Sequence, residues 1–176
     1  KKKKIKPILI FFSTTLVDNY KKNVVDKIKK KGLTATYAKS KFLAENYLIK
    51  NYDKILILRL SNVYDNSFKK SSIFRNILNT INKDKSYLSV SNINTSRNFI
   101  NINDLSGQIN SLLKKPEKLI KKKMISLVNE NLNIKEIIKL FEKKFNKKIR
   151  VIDLKKNLKL DYSQKIYVNS FKKTGY

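Results

Sequence analysis

The sequence of 176 residues contains no cysteine and no histidine. The absence of cysteine excludes disulfides and thiolate metal sites. The absence of histidine removes the usual general base, excludes a Ser-His-Asp triad and removes the ligand of most zinc sites, so we expect no metal centre. Any proton transfer by this chain must therefore use tyrosine, lysine, aspartate or glutamate.

The sequence also lacks a hydrophobic run long enough to cross a membrane. The apolar run at residues 8–12 follows a lysine-rich start, but it is too short for a signal peptide and no small-residue cleavage site follows it. With 41% hydrophobic residues, the chain has the apolar content of a globular domain with its own core. We therefore expect a cytoplasmic protein with no membrane partner.

Acidic residues are scarce, since 13 Asp and Glu stand against 41 Lys and Arg and give a formal net charge of +28. A charge of this size is typical of nucleic-acid binding. However, only four basic residues are arginine and the lysines are spread along the chain, whereas proteins that read bases or grip phosphates favour arginine. We interpret the lysines as solvated surface. A basic, non-catalytic nucleic-acid-associated protein stays open as an alternative.

Apolar runs that suit buried strands alternate with helical patterns. The predicted strands cover residues 6–12, 54–60, 87–90, 97–102, 124–128 and 148–152. The predicted helices cover residues 37–48, 68–82, 104–113 and a segment from residue 134, and residues 19–31 form a polar helix or loop. This alternation predicts an α/β fold with right-handed crossovers onto a parallel sheet.

The helix starts carry recognisable capping residues. Thr34 or Thr36 can cap the helix that contains Tyr37, and Asp104 can cap the helix that ends at Leu113. Asn133 and Glu136 have the spacing of a capping box.

Tyr37 and Lys41 are four residues apart, so they share one face of their predicted helix. An ammonium beside a phenol favours the phenolate, and such a pair can exchange a proton with a substrate hydroxyl. Because lysine is so abundant here, the spacing alone is weak evidence and needs context. That context includes Ser13, Thr14 and Thr15, which follow a predicted strand at the edge where α/β sheets bind ligands, although such hydroxyls also cap helices.

Taken in order, five segments resemble the extended short-chain dehydrogenase/reductase family, which contains the NAD-dependent nucleotide-sugar epimerases, dehydratases and reductases. These segments are Ser13-Thr14-Thr15-Leu16-Val17, Tyr37-Ala38-Lys39-Ser40-Lys41, Ile57-Leu58-Arg59-Leu60-Ser61-Asn62-Val63-Tyr64, Ser96-Arg97-Asn98-Phe99-Ile100-Asn101-Ile102-Asn103-Asp104-Leu105, and Val128-Asn129 before the helix at Ile134. The resemblance implies a partial Rossmann-like, doubly wound parallel sheet together with a small α/β substrate-binding part.

The resemblance also implies the catalytic and cofactor-binding residues. Tyr37 would be the catalytic acid and base, and Lys41 would favour its phenolate and bind the ribose of NAD or NADP. Thr14 would hydrogen-bond the sugar oxygen that is oxidised or reduced. Ser13 and Thr15 are the alternatives to Thr14.

The nucleotide sugar is the implied substrate, and its diphosphate would contact Asn62 and Arg97, since a guanidinium suits that anion. The other readings are a turn residue for Asn62 and a surface ion pair for Arg97. Asp65 stands where the family usually has glycine, and Asn98 where it usually has aspartate, which affects substrate contacts more than catalysis.

With only three glycines, the chain has nothing that can form the glycine-rich phosphate loop of this family. We therefore expect the C-terminal part of a longer enzyme, or a protein that has lost its front half. Residues 1–85 would be the second half of the dinucleotide-binding domain, and residues 86–176 mostly the substrate-binding part with returning Rossmann elements. The uncovered apolar edge would need the missing N-terminal half or a homodimer partner. A degenerate, inactive family member is a further alternative.

Overall fold

The structure, a computed structural model, describes residues 7–21, 33–65, 73–82, 87–91, 93–114 and 123–154, with the side chains of residues 19–21 and 33–35 left aside. The strands are β1 Leu9–Thr14, β2 Ile55–Leu60, β3 Asn62–Tyr64, β4 Leu88–Val90, β5 Ser96–Asn101, β6 Met124–Leu127, β7 Glu130–Asn133 and β8 Val151–Asp153. The helices are α1 Leu16–Lys21, α2 Leu33–Asn51, α3 Ile73–Asn82, α4 Ile102–Leu113 and α5 Ile134–Phe145.

The main sheet has the strand order β1-β2-β6, and both pairings are parallel. Its central strand β2 is buried along most of its length, as the continuous apolar run in the sequence predicts. Leu56 and Leu58 pack in a cluster with residues of α4, whereas Arg59, on the opposite face of the strand, contacts α2. The sheet thus carries helices on both faces, as the predicted doubly wound arrangement requires.

Two smaller sheets complete the described fold. In one of them β5 pairs with β3 in parallel and with β7 antiparallel, and in the other β4 pairs with β8 in parallel. The antiparallel strand β7 was not expected from the sequence. Its polar residues, Glu130 to Asn133, have no strand signature, and its pairing with β5 defines it instead.

The apolar side chains form two separate clusters. One joins β2, β5, β6 and α4 and contains Leu56, Leu58, Ile100, Leu105, Leu112 and Leu127. The other joins α3, β4, β5 and α5 and contains Phe74, Ile77, Ile81, Leu88, Val90, Phe99, Ile137, Ile138 and Ile149. Strand β5 contributes to both clusters and therefore connects the main sheet to the α3–α5 part. The division at residue 85 stays a prediction.

The capping box at α5 is confirmed, because the Asn133 side chain accepts from the Glu136 backbone N–H and the Glu136 carboxylate accepts from the Asn133 backbone N–H. The cap predicted for α2 is wrong. Helix α2 begins at Leu33, so both candidate threonines, Thr34 and Thr36, lie inside the helix.

The cap expected from Asp104 is also wrong. Asn101 caps α4, with its side chain accepting from the Asn103 backbone N–H, and Asp104 lies in the first helical turn. There the Asp104 carboxylate accepts a hydrogen bond from the side-chain amide of Asn129.

Parts of three predictions lie outside the described residues. These are most of the polar segment 19–31, the start of the helix predicted from residue 68, and the polar tail after residue 154. Within the described ranges, no helix has the length and apolar character needed to cross a membrane.

Strand β1 lies at one edge of the main sheet in the described part of the chain. Its Leu9 and Phe12 are 36% and 47% exposed. Large apolar side chains on an outer strand are the feature expected of a sheet edge that another strand or a partner covers.

The α3–α5 cluster generates a stability prediction. Ile77 is fully buried in it, so Ile77→Ala should lower the free energy of unfolding by about 2–5 kcal/mol through lost burial and a residual cavity. Leu140→Ala, on an exposed position of α5, is the matched control and should change stability little. Equal effects of the two variants in denaturant titrations would contradict this description of the core.

Tyr64 generates a pH prediction. Burial, followed by the charges of Glu130 and Asp104, raises the pKa of Tyr64, and a hydrogen bond with Asn101 offsets part of the rise. The fold therefore favours the neutral phenol, and this contribution to stability is present below about pH 10 and is lost as the pH rises through the folded-state pKa.

Tyr64→Phe cannot ionise, so its free energy of unfolding should fall less than that of the wild type between about pH 9 and about pH 11. The control for the loss of a tyrosine hydroxyl is Tyr47→Phe, because Tyr47 is 64% exposed. Chemical denaturation at several pH values measures both. Parallel curves for Tyr64→Phe and the wild type would contradict the raised pKa.

Candidate functional site

A cavity of about 640 Å³ lies next to the ends of β1 and β2. Segments that are far apart in the sequence line it, because the carboxyl ends of parallel strands meet at one edge of a sheet. Its lining consists of Thr14, Leu16, Tyr37, Ser61, Asn62, Val63, Tyr64, Asp65, Ile73, Phe74, Arg97, Phe99, Ile102 and Ile134.

Four of the five site residues expected from the sequence line this one cavity. Thr14 comes from the end of β1, Tyr37 from α2, Asn62 from β3 and Arg97 from β5. Tyr37 is 46% exposed, so its phenol is open to a ligand. The four residues are separated by up to 83 positions in the chain, and the parallel pairing of β1 with β2 and of β3 with β5 brings them together.

The fifth residue, Lys41, lies one helical turn after Tyr37 and outside the cavity lining. Its Nζ donates a hydrogen bond to the Phe12 carbonyl oxygen at 3.0 Å. The same nitrogen lies 4.8 Å from the centroid of the Phe11 ring and 5.9 Å from that of the Tyr37 ring. An ammonium has three N–H donors, so the contact with Phe12 leaves donors available to other groups.

The three strand-end hydroxyls have different surroundings. Thr14 lines the cavity, and its Oγ1 also accepts from the Leu16 backbone N–H at 3.3 Å, which leaves its own proton to donate. Ser13 does not line the cavity, and its hydroxyl donates to the Glu45 carboxylate at 2.6 Å. Thr15 is buried and lies outside the lining. Of the three, Thr14 is the one with access to a ligand in the cavity.

Asn62 and Arg97 lie on the β3 and β5 side of the cavity. The side-chain amide of Asn62 donates to the Asn98 carbonyl oxygen at 2.9 Å, which holds β3 against β5 at this point. Arg97 precedes the fully buried Asn98, whose Oδ1 accepts from the side chain of Asn131 on β7 at 2.9 Å. The two strands thus place an amide and a guanidinium at the same cavity.

Two groups in the lining were not singled out by the sequence analysis. The Ser61 hydroxyl is buried and has no hydrogen-bond partner among the described residues, which is unfavourable unless a ligand or water completes its hydrogen bonding. Tyr64, Phe74 and Phe99 form an aromatic wall, with centroids 4.9 Å apart for Tyr64–Phe74 and 5.2 Å apart for Phe74–Phe99. Aromatic rings are abundant in the sequence, and nothing in their spacing indicates this convergence.

A buried ionic cluster beside the site was also missed. Glu45 on α2 is 1% exposed, and its carboxylate binds Arg59 on β2, which is 4% exposed. Asp18 on α1 accepts from a second nitrogen of Arg59 at 2.7 Å. Burial lowers the pKa of Arg59, but the hydrogen bonds and charges of Glu45 and Asp18 outweigh this effect, so the pKa is raised above its ordinary value.

The sequence does contain a signal for this cluster. Arg59 interrupts the apolar run of β2, and Glu45 follows Lys41 by one helical turn. Because an unpaired buried charge is costly, a charged residue inside a strand buried on both faces requires a partner of opposite sign. Because the chain has only 13 Asp and Glu residues, few carboxylates are candidates for the partner of Arg59.

The chain is similar to known proteins in sequence and in fold. The family model described as the NmrA-like family matches residues 15–173. No curated protein gives a significant match. Solved structures of nucleotide-sugar epimerases and dehydratases match with high similarity of fold.

Three of these structures illustrate the similarity. UDP-glucuronic acid 4-epimerase from Bacillus cereus, in complex with UDP-glucuronic acid and NAD, is 24% identical over 86% of this chain and 50% of its own, with a TM-score of 0.65. An NAD-dependent NDP-hexosamine 5,6-dehydratase involved in tunicamycin biosynthesis is 16% identical over 97% and 57%, with a TM-score of 0.68. RMD from Pseudomonas aeruginosa, complexed with NADPH, is 17% identical over 95% and 60%, with a TM-score of 0.67.

At these identities, the solved structures establish the fold, and the chain spans 50% to 60% of their length. The predicted Rossmann-like α/β fold is therefore confirmed. The resemblance to the extended short-chain dehydrogenase/reductase family is confirmed as well, because the family model and the structural neighbours agree. The family model covers far more than half of the sequence, and the chain belongs to the NmrA-like family.

Proposed function

We propose that this protein is the catalytic and substrate-binding portion of an NAD(P)-dependent nucleotide-sugar epimerase, dehydratase or reductase. The observation that carries the proposal is the shared cavity: Thr14, Tyr37, Asn62 and Arg97 come from four separate elements and line it together. Proteins that share this fold include an epimerase in complex with UDP-glucuronic acid and NAD, an NAD-dependent NDP-hexosamine dehydratase, and RMD in complex with NADPH.

The cavity residues and the neighbouring Lys41 suit a sugar and a nicotinamide cofactor. The unsatisfied Ser61 hydroxyl calls for a polar partner inside the cavity. Lys41 has N–H donors beyond the one that binds Phe12, and these suit ribose hydroxyls. When bound, NAD or NADP supplies the hydride acceptor or donor.

In the proposed mechanism Tyr37 moves the proton and Thr14 orients the substrate. Tyr37, exposed to the cavity, would as the phenolate take the proton of a sugar hydroxyl during oxidation, and as the phenol return that proton during reduction. Lys41 lies beside Tyr37, with its ammonium nitrogen 5.9 Å from the centroid of the Tyr37 ring. The free Thr14 proton would hydrogen-bond the same sugar oxygen and hold it in position.

Arg97 and Asn62 would bind the diphosphate of the nucleotide sugar. A guanidinium forms charge-assisted, paired hydrogen bonds with phosphate oxygens, and an amide adds a neutral donor. Arg97 is partly exposed and lines the cavity together with the aromatic wall of Tyr64, Phe74 and Phe99. The diphosphate and the apolar parts of a nucleotide sugar therefore both have suitable neighbours in the cavity.

The proposal includes a cytoplasmic location and a partner for the β1 edge. A further part of the fold, or a second copy of the chain, would cover the exposed Leu9 and Phe12 and complete the cofactor site. We expect weak affinity for NAD or NADP where that complement is absent.

The diphosphate role can be tested with UDP as the probe. Arg97→Met should weaken UDP binding about tenfold or more, because a hydrogen bond to a charged group is worth about 1.5–3 kcal/mol. The matched control is Arg150→Met, since Arg150 is exposed and lies outside the cavity. Isothermal titration calorimetry measures both. Equal losses would show that the general positive charge attracts UDP, and would contradict the assignment of Arg97.

The catalytic role can be tested at Tyr37. Tyr37→Phe removes the proton-carrying oxygen and should lower the turnover of a UDP-hexose with NAD or NADP by about 10²–10⁴-fold, with UDP affinity unchanged. Tyr47→Phe, on the same helix and 64% exposed, is the control and should keep wild-type turnover. Retained activity in Tyr37→Phe, or no turnover by the wild-type protein, would contradict the proposed chemistry.

A further inference from the structure

Helix α2 is attached to the main sheet by a buried carboxylate. One oxygen of Glu45 accepts from the Ser13 hydroxyl at 2.6 Å and from Arg59 Nε at 2.9 Å, and the other accepts from Arg59 Nη2. Asp18 accepts from the remaining Arg59 nitrogen, Nη1, at 2.7 Å. The carboxylate and the guanidinium therefore form a bidentate ion pair, which fixes the orientation of the two groups as well as the distance between them.

The Glu45 carboxylate spans two strands at one level of the sheet. Ser13 on β1 and Arg59 on β2 are direct partners in the parallel register. The next residue on β1 is Thr14, and two residues beyond Arg59 is Ser61, and both of these line the cavity. The contact thus holds α2 against the sheet immediately before the edge where the ligand site begins.

The same helix presents Tyr37 and Lys41 on the side that carries Glu45. Lys41 precedes Glu45 by four residues and Tyr37 precedes it by eight, so all three lie within about 80° around the helix axis. A displacement of α2 by one residue would move Tyr37 by about 1.5 Å along the axis and turn it by about 100°. The position of Tyr37 at the cavity therefore depends on how α2 is fixed.

Helix α2 packs on the sheet with a face that is mostly apolar. Ala38 and Glu45 are buried, Phe42 and Ile49 are half-buried, and the four share one side of the helix. Apolar contacts have no preferred direction, whereas the Glu45 carboxylate makes hydrogen bonds of defined geometry with β1 and β2. The buried carboxylate is therefore the directional contact of this face.

We propose that Glu45, bound by Arg59 and Ser13, is a positioning residue that sets the rotation and axial level of α2 and so holds Tyr37 at the ligand cavity, with Lys41 one helical turn away. The functional meaning of this placement rests on the proposed role of Tyr37. The geometric claim concerns the folded protein alone and can be tested without ligand or turnover.

The test is Glu45→Gln in protein labelled with ¹³C at the tyrosine Cζ atoms. The amide keeps the size of the side chain but cannot accept at both positions from Arg59. The Tyr37 resonance, assigned among the nine tyrosines with Tyr37→Phe, should shift by more than its linewidth. The Tyr64 resonance, from the aromatic wall across the cavity, should stay in place.

The matched control is Glu136→Gln, because glutamine can also serve in the capping box of α5. It should leave the resonances of Tyr37 and Tyr64 unchanged. A folded Glu45→Gln protein with the wild-type Tyr37 resonance would overturn the proposal and leave the cluster with a stabilising role only. Equal shifts of Tyr37 and Tyr64 would also overturn it, since they indicate a general loosening of the fold.

A milder variant decides the question if Glu45→Gln does not fold. Ser13→Ala removes one of the three hydrogen bonds to the carboxylate and keeps both charges of the pair. It should shift the Tyr37 resonance and leave that of Tyr64 unchanged, and a wild-type Tyr37 resonance would overturn the proposal. Because the resonance requires no substrate, a shifted Tyr37 signal in the variants, together with a wild-type protein that neither binds UDP nor turns over a UDP-hexose, would point to failure of the proposed function and leave the positioning role intact.

Discussion

The parallel pairing of β1 with β2 is the constraint on which the site depends. It brings Ser13 beside Arg59 and Thr14 beside Leu60, and it ends both strands at one edge. The buried carboxylate of Glu45 binds across this pair and attaches α2 to it. Without the pairing, Thr14 and Ser61 would not lie at the same edge of the sheet, and Tyr37 would not lie beside them. Strand register therefore places the cavity, and the Glu45 contact attaches to the sheet the helix that carries Tyr37.

The sequence predicted the features that depend on local patterns. The run before Arg59 is apolar throughout and was recognised as a buried strand, and the spacing of Asn133 and Glu136 correctly indicated a capping box. The order of weak motifs indicated the family and, with it, which residues share the cavity. Tyr37 and Arg97 are 60 positions apart and line the same space, which neither motif could establish without the fold that the family resemblance implied.

The features that were missed depend on tertiary contacts. Strand β7 has a polar sequence and is defined by its antiparallel pairing with β5. Asp104 has the chemistry of a helix cap, but the preceding Asn101 already fills that position and Asp104 binds Asn129 instead. The contact between Glu45 and Arg59 joins a helix to a strand, and its geometry becomes visible only when both elements are placed.

The central claim is that one cavity binds both the sugar and the diphosphate of a nucleotide sugar. The most direct measurement is a crystal structure of the protein with UDP-glucose and NAD. The account predicts a sugar hydroxyl within hydrogen-bonding distance of the Tyr37 and Thr14 oxygens, with the diphosphate against Arg97. UDP-glucose bound on another surface, or bound in the cavity with its sugar away from Tyr37, would contradict it.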